Sequence, residues 1–352
     1  MNTNIFPTYQ FYDEIVNDNN VSCDTMTVCG GKTEKVFVRM DSTYLSDLFK
    51  SKSKGRDSYV TYLDKLFNKY SFTRQGPPLS KVSVLLKSYA SSKGEGYACG
   101  EEIGSKIANI LGIPTVYNKY IEGVDTTPNR EFDDINSAYT HHVVSVDFME
   151  YNKDISYDTF YEGYCDSKAG RYSRREWRLR EWYEFFLLSH DILEQSTKQD
   201  LTMDVRKKLA IDFIPMYLFR KYGIFDSDFD IHNIIVKHSK SKGDYSIGPN
   251  FDMERAFFKR HNVEALCRAF KVDLEFAYMH APNKVKSFVK NFVNNQNALL
   301  SLAKSTPSVF YRDKYVSMMS AYYPALCDVI KSIDFSTLKT TRPKGADCLN
   351  MV

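Results

Sequence analysis

The chain is short of the features that place a protein by composition alone. No Cys-x2-Cys pair occurs, and the seven cysteines (Cys23, Cys29, Cys99, Cys165, Cys267, Cys327 and Cys348) are scattered and odd in number. That spacing excludes a zinc-finger type of site. It does not suit a disulfide framework in 352 residues either, so reduced thiols and a cytoplasmic setting are expected. No run of eighteen apolar residues is present, which excludes a helical membrane span. The opening Met1-Asn-Thr-Asn-Ile-Phe-Pro has neither a charged start nor an apolar stretch, so no secretory leader is expected. Charge of one sign is not in excess: the formal net charge is +3, no global footprint for nucleic acid. Gly-x-Gly-x-x-Gly is missing, and so is Gly-x4-Gly-Lys followed by Ser or Thr, which excludes the two commonest glycine-rich phosphate loops.

What is there is a chain long enough for two packed parts, with an ordinary 43% of apolar residues. Met26-Thr-Val-Cys and Lys35-Val-Phe-Val-Arg-Met alternate around Gly30-Gly31 and read as a hairpin. Residues 43–70 have helical spacing. Lys81-Val-Ser-Val-Leu-Leu-Lys87 reads as a strand, and Ser91 to Gly100 as a small-residue loop. A helix is expected from Glu101, with Ile103, Ile107, Ile110 and Leu111 on one face and Gly112 and Pro114 as stop signals. Val116–Ile121 and Val143–Met149 read as strands. After Glu150 the pattern is helical: Trp177–Leu193, Asp204–Tyr222 with Asp200 or Thr202 as cap, Val263–Phe270, Leu274–Met279, Lys284–Ala303 and Tyr311–Ile333. The expected architecture is α+β, with a β-rich part over residues 1–150 and a helical part over 151–352.

The densest chemistry lies at the front of the helical part. Asp226-Ser-Asp-Phe-Asp-Ile-His-Asn-Ile-Ile-Val236 is followed by Asn-Phe-Asp-Met-Glu254, with Asp252 nineteen positions after Asn233. An apolar helix ending at Gly223 precedes this stretch. An apolar strand and a polar turn (Ser239 to Asp244) follow it. Asp228 and Asn233 are five apart, the spacing at which a kinase catalytic loop sets an Asp that orients the acceptor hydroxyl and an Asn that holds a metal. Asp252 stands where a second metal-binding acid is required. Phosphoryl transfer needs such a trio because its catalysis is mostly positioning and charge neutralisation. Asp and Asn also cluster in loops simply because they favour turns and caps, so the motif draws its weight from its flanks.

A nucleotide site of this kind needs a cation for the α- and β-phosphates, usually a strand Lys paired with a Glu on the next helix. Lys87 ends the strand, and Glu101 or Glu102 is in reach of it, although a Glu in a first helical turn is also common for its favourable dipole. Phe148, Met149 and Glu150 would supply backbone groups to adenine at a hinge. For the phosphate-covering loop, Cys29-Gly-Gly-Lys32 and Arg74-Gln-Gly-Pro-Pro-Leu-Ser80-Lys81 both offer small residues and a cation. The second lies directly before the strand and is preferred, which names Ser80 and Lys81.

These residues resemble the HipA-like serine/threonine kinases of bacteria. Those proteins carry an Asn-Thr-Asp-x-His-x-x-Asn loop, an apolar strand and an acid about eighteen residues later. Glu101-Glu-Ile-Gly-Ser-Lys-Ile-Ala-Asn-Ile-Leu-Gly-Ile-Pro114 is similar to the family's Glu-bearing helix, and Val144-Ser-Val-Asp-Phe148 to its strand leading into the hinge. The likeness spans roughly residues 75–260. It implies a two-lobed protein-kinase-like fold, ATP and Mg2+ as cofactors, Asp228 as catalytic base, Lys87 as ATP lysine with Glu101 as its partner, and Asn233 and Asp252 as metal ligands. The family's His falls two after its catalytic Asp. Here that position is Asp230 and His232 is at plus four, so Asp230-Ile-His232 is an alternative register.

The expected activity is ATP-dependent phosphorylation of a protein Ser or Thr, the chain itself included. A small-molecule acceptor and a nucleotide-binding pseudokinase working through a partner are the alternatives. Lys168-Ala-Gly-Arg-Tyr-Ser-Arg-Arg-Glu-Trp-Arg-Leu-Arg180 is basic with interleaved aromatics. Glu176, Glu181 and Glu184 at helical offsets make a solvated helix face the better reading than nucleic acid.

Overall fold

The computed structural model describes residues 21–23, 34–41, 81–90, 94–122, 139–146, 155–159, 177–188, 201–239 and 241–338. The expected helix over 43–70 and the expected strand Met26–Cys29 lie outside these.

Five antiparallel strands form one sheet: β1 (Val21–Cys23), β2 (Glu34–Asp41), β3 (Lys81–Ala90), β4 (Asn118–Glu122) and β5 (Tyr139–Val146), in the order β1-β2-β3-β5-β4. β3 is central, with Lys87 opposite Lys35 of β2 and Val143 of β5. The period of two along β3 puts Lys87 and Tyr89 together on its buried face. Helix α1 (Gly94–Leu111) runs from β3 to β4 and buries Ala98, Ile103, Ile107 and Leu111. It ends as expected: Gly112 is left-handed at φ 73, and Ile113 N donates to Ala108 O at 2.8 Å. It starts seven residues earlier than expected, because the glycines read as a loop are a packing surface.

The second sheet, β6 (Ile155–Thr159), β7 (Ile235–Ser239) and β8 (Asp244–Ile247), is antiparallel in that order, with Gly243 at φ 60 in its tight turn. It confirms the apolar strand and polar turn after the acidic loop. A parallel bridge between Thr115 and Asn250 ties the chain after α1 to the stretch before Asp252, with Val116 N on Asn250 O at 2.8 Å and Asn250 N on Pro114 O at 2.9 Å.

The remaining elements are helical: α2 (Leu179–Leu188), α3 (Met203–Leu218), α4 (Val263–His280), α5 (Pro282–Asn294), α6 (Gln296–Lys304) and α7 (Val309–Ser332). Thr202 caps α3, accepting from Val205 N. Two expected helices merge into α4, where the buried Asp273, accepting from the Tyr217 and Tyr222 hydroxyls, interrupts the apolar pattern without breaking the helix. The expected single helix Lys284–Ala303 is divided at Asn295. Strands and helices together make the α+β class expected. The aromatic core is continuous: Trp182 of α2 lies 5.3 Å from Phe213 of α3, and Phe213 stacks on Phe229 at 5.7 Å. Phe229 belongs to the acidic loop and is fully buried, so that loop is anchored in the core. Among the described residues no helix is long and apolar enough to cross a membrane, and Cys99, Cys267 and Cys327 are free thiols.

Candidate active site

Lys87 and Glu101 meet at the middle of the sheet. Lys87 is 4% exposed and Glu101 is fully buried. The Lys87 Nζ pairs with Glu101 Oε1 and, at 2.8 Å, with Asp252 Oδ1. Burial alone would lower the Lys87 pKa, but the carboxylates of Asp252 and Glu101 outweigh it and hold the ammonium charged, above its ordinary range. Glu101 is satisfied on its other oxygen: Oε2 accepts from Asn118 Nδ2 at 2.9 Å and from Met253 N at 3.0 Å. Asn118 is fixed in turn by Ser145 Oγ, 2.5 Å from its Oδ1. Thus β3, α1, β4 and β5 each give one side chain to a network that closes on the Asp252 loop. Glu102, the other acid in reach by sequence, turns away. It accepts from Lys106 at 2.6 Å and Tyr120 N at 2.8 Å and lies 3.4 Å from Lys119. Burial would raise its pKa, yet Lys106, Lys119 and the amide win and hold it at about 2.

Asp252 is left-handed, φ 57, a conformation uncommon outside glycine that Asp tolerates better than most. Arg220 holds it there. Its fully buried guanidinium donates from Nη1 to Phe251 O at 3.0 Å and from Nη2 to Asp252 O at 3.1 Å. Nη2 is also 2.6 Å from Asp226 Oδ2, and the cation sits 5.0 Å over the Phe229 ring. Asp226 Oδ1 accepts from Asp228 N at 2.9 Å. One buried Arg–Asp couple therefore joins the acidic loop to the Asp252 loop. Burial pushes the Asp226 pKa up, with Arg220 opposing.

Asp228 faces Arg255, whose Nε is 3.3 Å from Oδ2, and its carbonyl accepts from Asn233 Nδ2 at 2.9 Å. Asp230 instead caps the short 3-10 turn Ile231–Asn233 by accepting from Ile231 N at 2.6 Å. Among the described residues no group of three His, Cys, Asp or Glu forms a self-sufficient metal cage. Asn233 and Asp252 nevertheless present oxygens of the kind Mg2+ takes: the Asn233 amide is oriented by its bond to Asp228 O, and the Asp252 side chain is a quarter exposed. A hard cation that keeps waters and shares substrate phosphates fits that donor set.

Lys81 opens β3, six residues and so roughly 20 Å along the strand from Lys87. Ser80, Phe148, Met149 and Glu150 lie outside the described residues. Arg220, Asn118 and Arg255 were missed. Arg220 had left a signal, since it interrupts an apolar helical run with Met216, Tyr217, Gly223 and Ile224 at its helical neighbours, so its charge needs a tertiary partner.

The glycines of α1 explain how the helix comes so close. A Cβ on Gly100 would stand 2.7 Å from Glu254 O, and one on Gly104 3.0 Å from Met253 Cβ. The bare face lets α1 lie directly on the backbone after Asp252, which brings Glu101 to Met253 N.

No protein-family model and no curated protein matches the chain. Solved structures do. The proinflammatory kinase CtkA of Helicobacter pylori is similar at TM-score 0.43 and 13% identity, over 71% of this chain and 88% of that one. A chain of the Shewanella oneidensis MR-1 toxin–antitoxin complex of HipA, HipB and operator DNA is similar at TM-score 0.38 and 9% identity, over 70% and 60%. The Golgi casein kinase is similar at TM-score 0.40 and 10% identity, over 95% and 93%.

Proposed function

We propose that the chain is a Mg-ATP-dependent phosphotransferase whose acceptor is a protein Ser or Thr hydroxyl. The observation that carries this reading is the buried Lys87 bridging Glu101 and Asp252. A lysine kept charged and aimed by one carboxylate, beside a second that is a quarter exposed, is equipped to neutralise phosphate oxygens at a metal site. Mg2+, held by Asn233 and Asp252, would supply neutralisation of the charge on the phosphates. Lys87 binds α- and β-phosphate oxygens and fixes the nucleotide. Glu101 aims Lys87. Asp228 orients the acceptor hydroxyl. As the hydroxyl oxygen bonds to the γ-phosphorus and the bond to the β,γ-bridging oxygen breaks, the hydroxyl proton passes to Asp228 and ADP leaves. Arg220 and Asp226 keep the two loops in register.

The test is calorimetric binding of Mg-ATP together with transfer of labelled phosphate, by the wild type, Asp252→Ala and Asp228→Asn, followed by mass spectrometry of the chain. The wild type is expected to bind and transfer, and both variants to lose transfer. Binding without transfer by the wild type moves the reading to a nucleotide-binding protein acting through a partner. No binding sinks the site.

A further inference from the structure

The segment that leaves the Asp252 loop is basic. From Arg255 to His261 it reads Arg-Ala-Phe-Phe-Lys-Arg-His, four basic residues in seven with no acid among them. It begins at the site itself, since Arg255 is the residue that faces Asp228 and a third of its side chain is exposed. Lys259 and Arg260 are exposed. From α7, Lys314 reaches across to the same segment, donating to Phe258 O at 3.2 Å and lying 4.8 Å over the Phe258 ring.

These cations are near enough to repel one another. Burial and the Arg260 charge push Lys314 down, and burial with Lys259 and Lys221 pushes His261 down. Of the acids at either end, Glu264 pairs with Arg268 at 2.6 Å. Like charge gathered this way weakens the fold and is repaid by an anionic partner. Apolar surface adjoins it: Val309 and Phe310, 65% and 69% exposed, open α7, and the next residue, Tyr311, carries Lys314 5.8 Å over its ring. Cations beside an exposed aromatic form a protein-binding composition. A chain with net charge of only +3 and a patch of this size does not offer the long basic track that nucleic acid needs.

Resting on the phosphotransferase reading, we propose that Arg255, Lys259, Arg260 and Lys314 form the docking surface for a carboxylate-rich protein segment, with Phe310 as its apolar contact, so that the acceptor is an acidic peptide whose hydroxyl is led to Asp228. Glu and Asp side chains of the segment bind the exposed cations, and Arg255 exchanges Asp228 for one of them.

Fluorescence anisotropy on the full chain tests this with a labelled Ser-containing peptide rich in Glu and Asp, its neutral Ala counterpart, a phosphopeptide and a single-stranded oligonucleotide of equal charge. The acidic peptide is expected to bind about tenfold more tightly than the neutral one, and the Lys259→Glu/Arg260→Glu double variant to lose about that factor. Binding should weaken as salt rises, a readout on the wild type that does not depend on how the variant folds. Equal binding of acidic and neutral peptides overturns the proposal. So does insensitivity to charge reversal in a variant that melts like the wild type. Preference for the phosphopeptide overturns the carboxylate source, and preference for the oligonucleotide makes this a nucleic-acid surface. Calorimetry with Mg-ATP alone reports on the phosphotransferase reading separately: peptide binding without nucleotide binding leaves the acid-seeking surface and removes the reaction.

Discussion

Lys87 and Arg220 are both buried cations that end on Asp252, and they hold it differently. Lys87 takes the carboxylate, which is a quarter exposed. Arg220 takes the backbone carbonyl, with its guanidinium and the Asp226 carboxylate both fully buried. A point charge on a flexible stem can pass from a carboxylate to a phosphate. A planar fork gripped by two carbonyls, a carboxylate and an aromatic face is held on several sides at once. The first grip is suited to exchange during a reaction and the second to fixing the loop on which the reaction depends.

Substitutions test that division. The largest effect is expected for Arg220→Met, which leaves Asp226 buried without its counter-charge and frees two carbonyls. The loss should be about 3–5 kcal/mol by urea unfolding. If it is no larger than for Lys87→Met, the distinction fails. Lys87→Met should cut phosphate transfer by about 10²–10³-fold while the chain stays folded, because Glu101 keeps its bonds from Asn118 and Met253 N and Asp252 can be hydrated.

Glu102 sharpens the comparison, as a buried carboxylate held by lysines of its own helix and of β4. Its pKa falls on folding from 4.5 to about 2. A lowered folded-state value means stability that is full above pH 4.5 and is lost as the pH falls from there towards 2. The contribution is up to about 3 kcal/mol. Glu102→Gln should flatten the acid limb of a stability–pH curve in that window, and an unchanged limb would contradict the pairing. Gly100→Ala should have the smallest effect of the four, about 1–3 kcal/mol, as a raised urea sensitivity. A neutral outcome would mean that α1 can withdraw from Glu254 and still leave Glu101 in place.

Much of the site was legible because its chemistry is local. Asp228, Asn233 and Asp252 sit in one short stretch bounded by a helix stop and a hairpin, and Lys87 lies in an apolar strand that runs on to Ala90. The sequence did not separate Glu101 from Glu102, which differ by 100° around a helix whose start was misplaced. That misplacement has a cause: glycines signal a loop unless a neighbour lies too close for a Cβ, and the neighbours here are Tyr89 at Gly94, Tyr311 at Gly96 and Glu254 at Gly100, the last two far away in sequence. Arg220 announced by its place in an apolar helical run that it needed a tertiary partner, but not which one, because the carbonyls at 251 and 252 that it holds carry no side-chain signature.

Helix α3 does not end as an ordinary α-helix. Phe219–Gly223 widens into a π-turn, with Ile224 N donating five residues back to Phe219 O at 3.0 Å. The wider turn sets the angle at which Arg220 leaves the backbone. Deleting one residue there would swing everything beyond it by about 100° and carry the guanidinium out of register with Phe251 and Asp252. The Ser241–Gly243 hairpin tip, bearing no such load, should accept an inserted residue. Length variation in this chain is thus expected to be forbidden at the end of α3 and tolerated some twenty residues later, a pattern that a library of single-residue insertions and deletions would display directly.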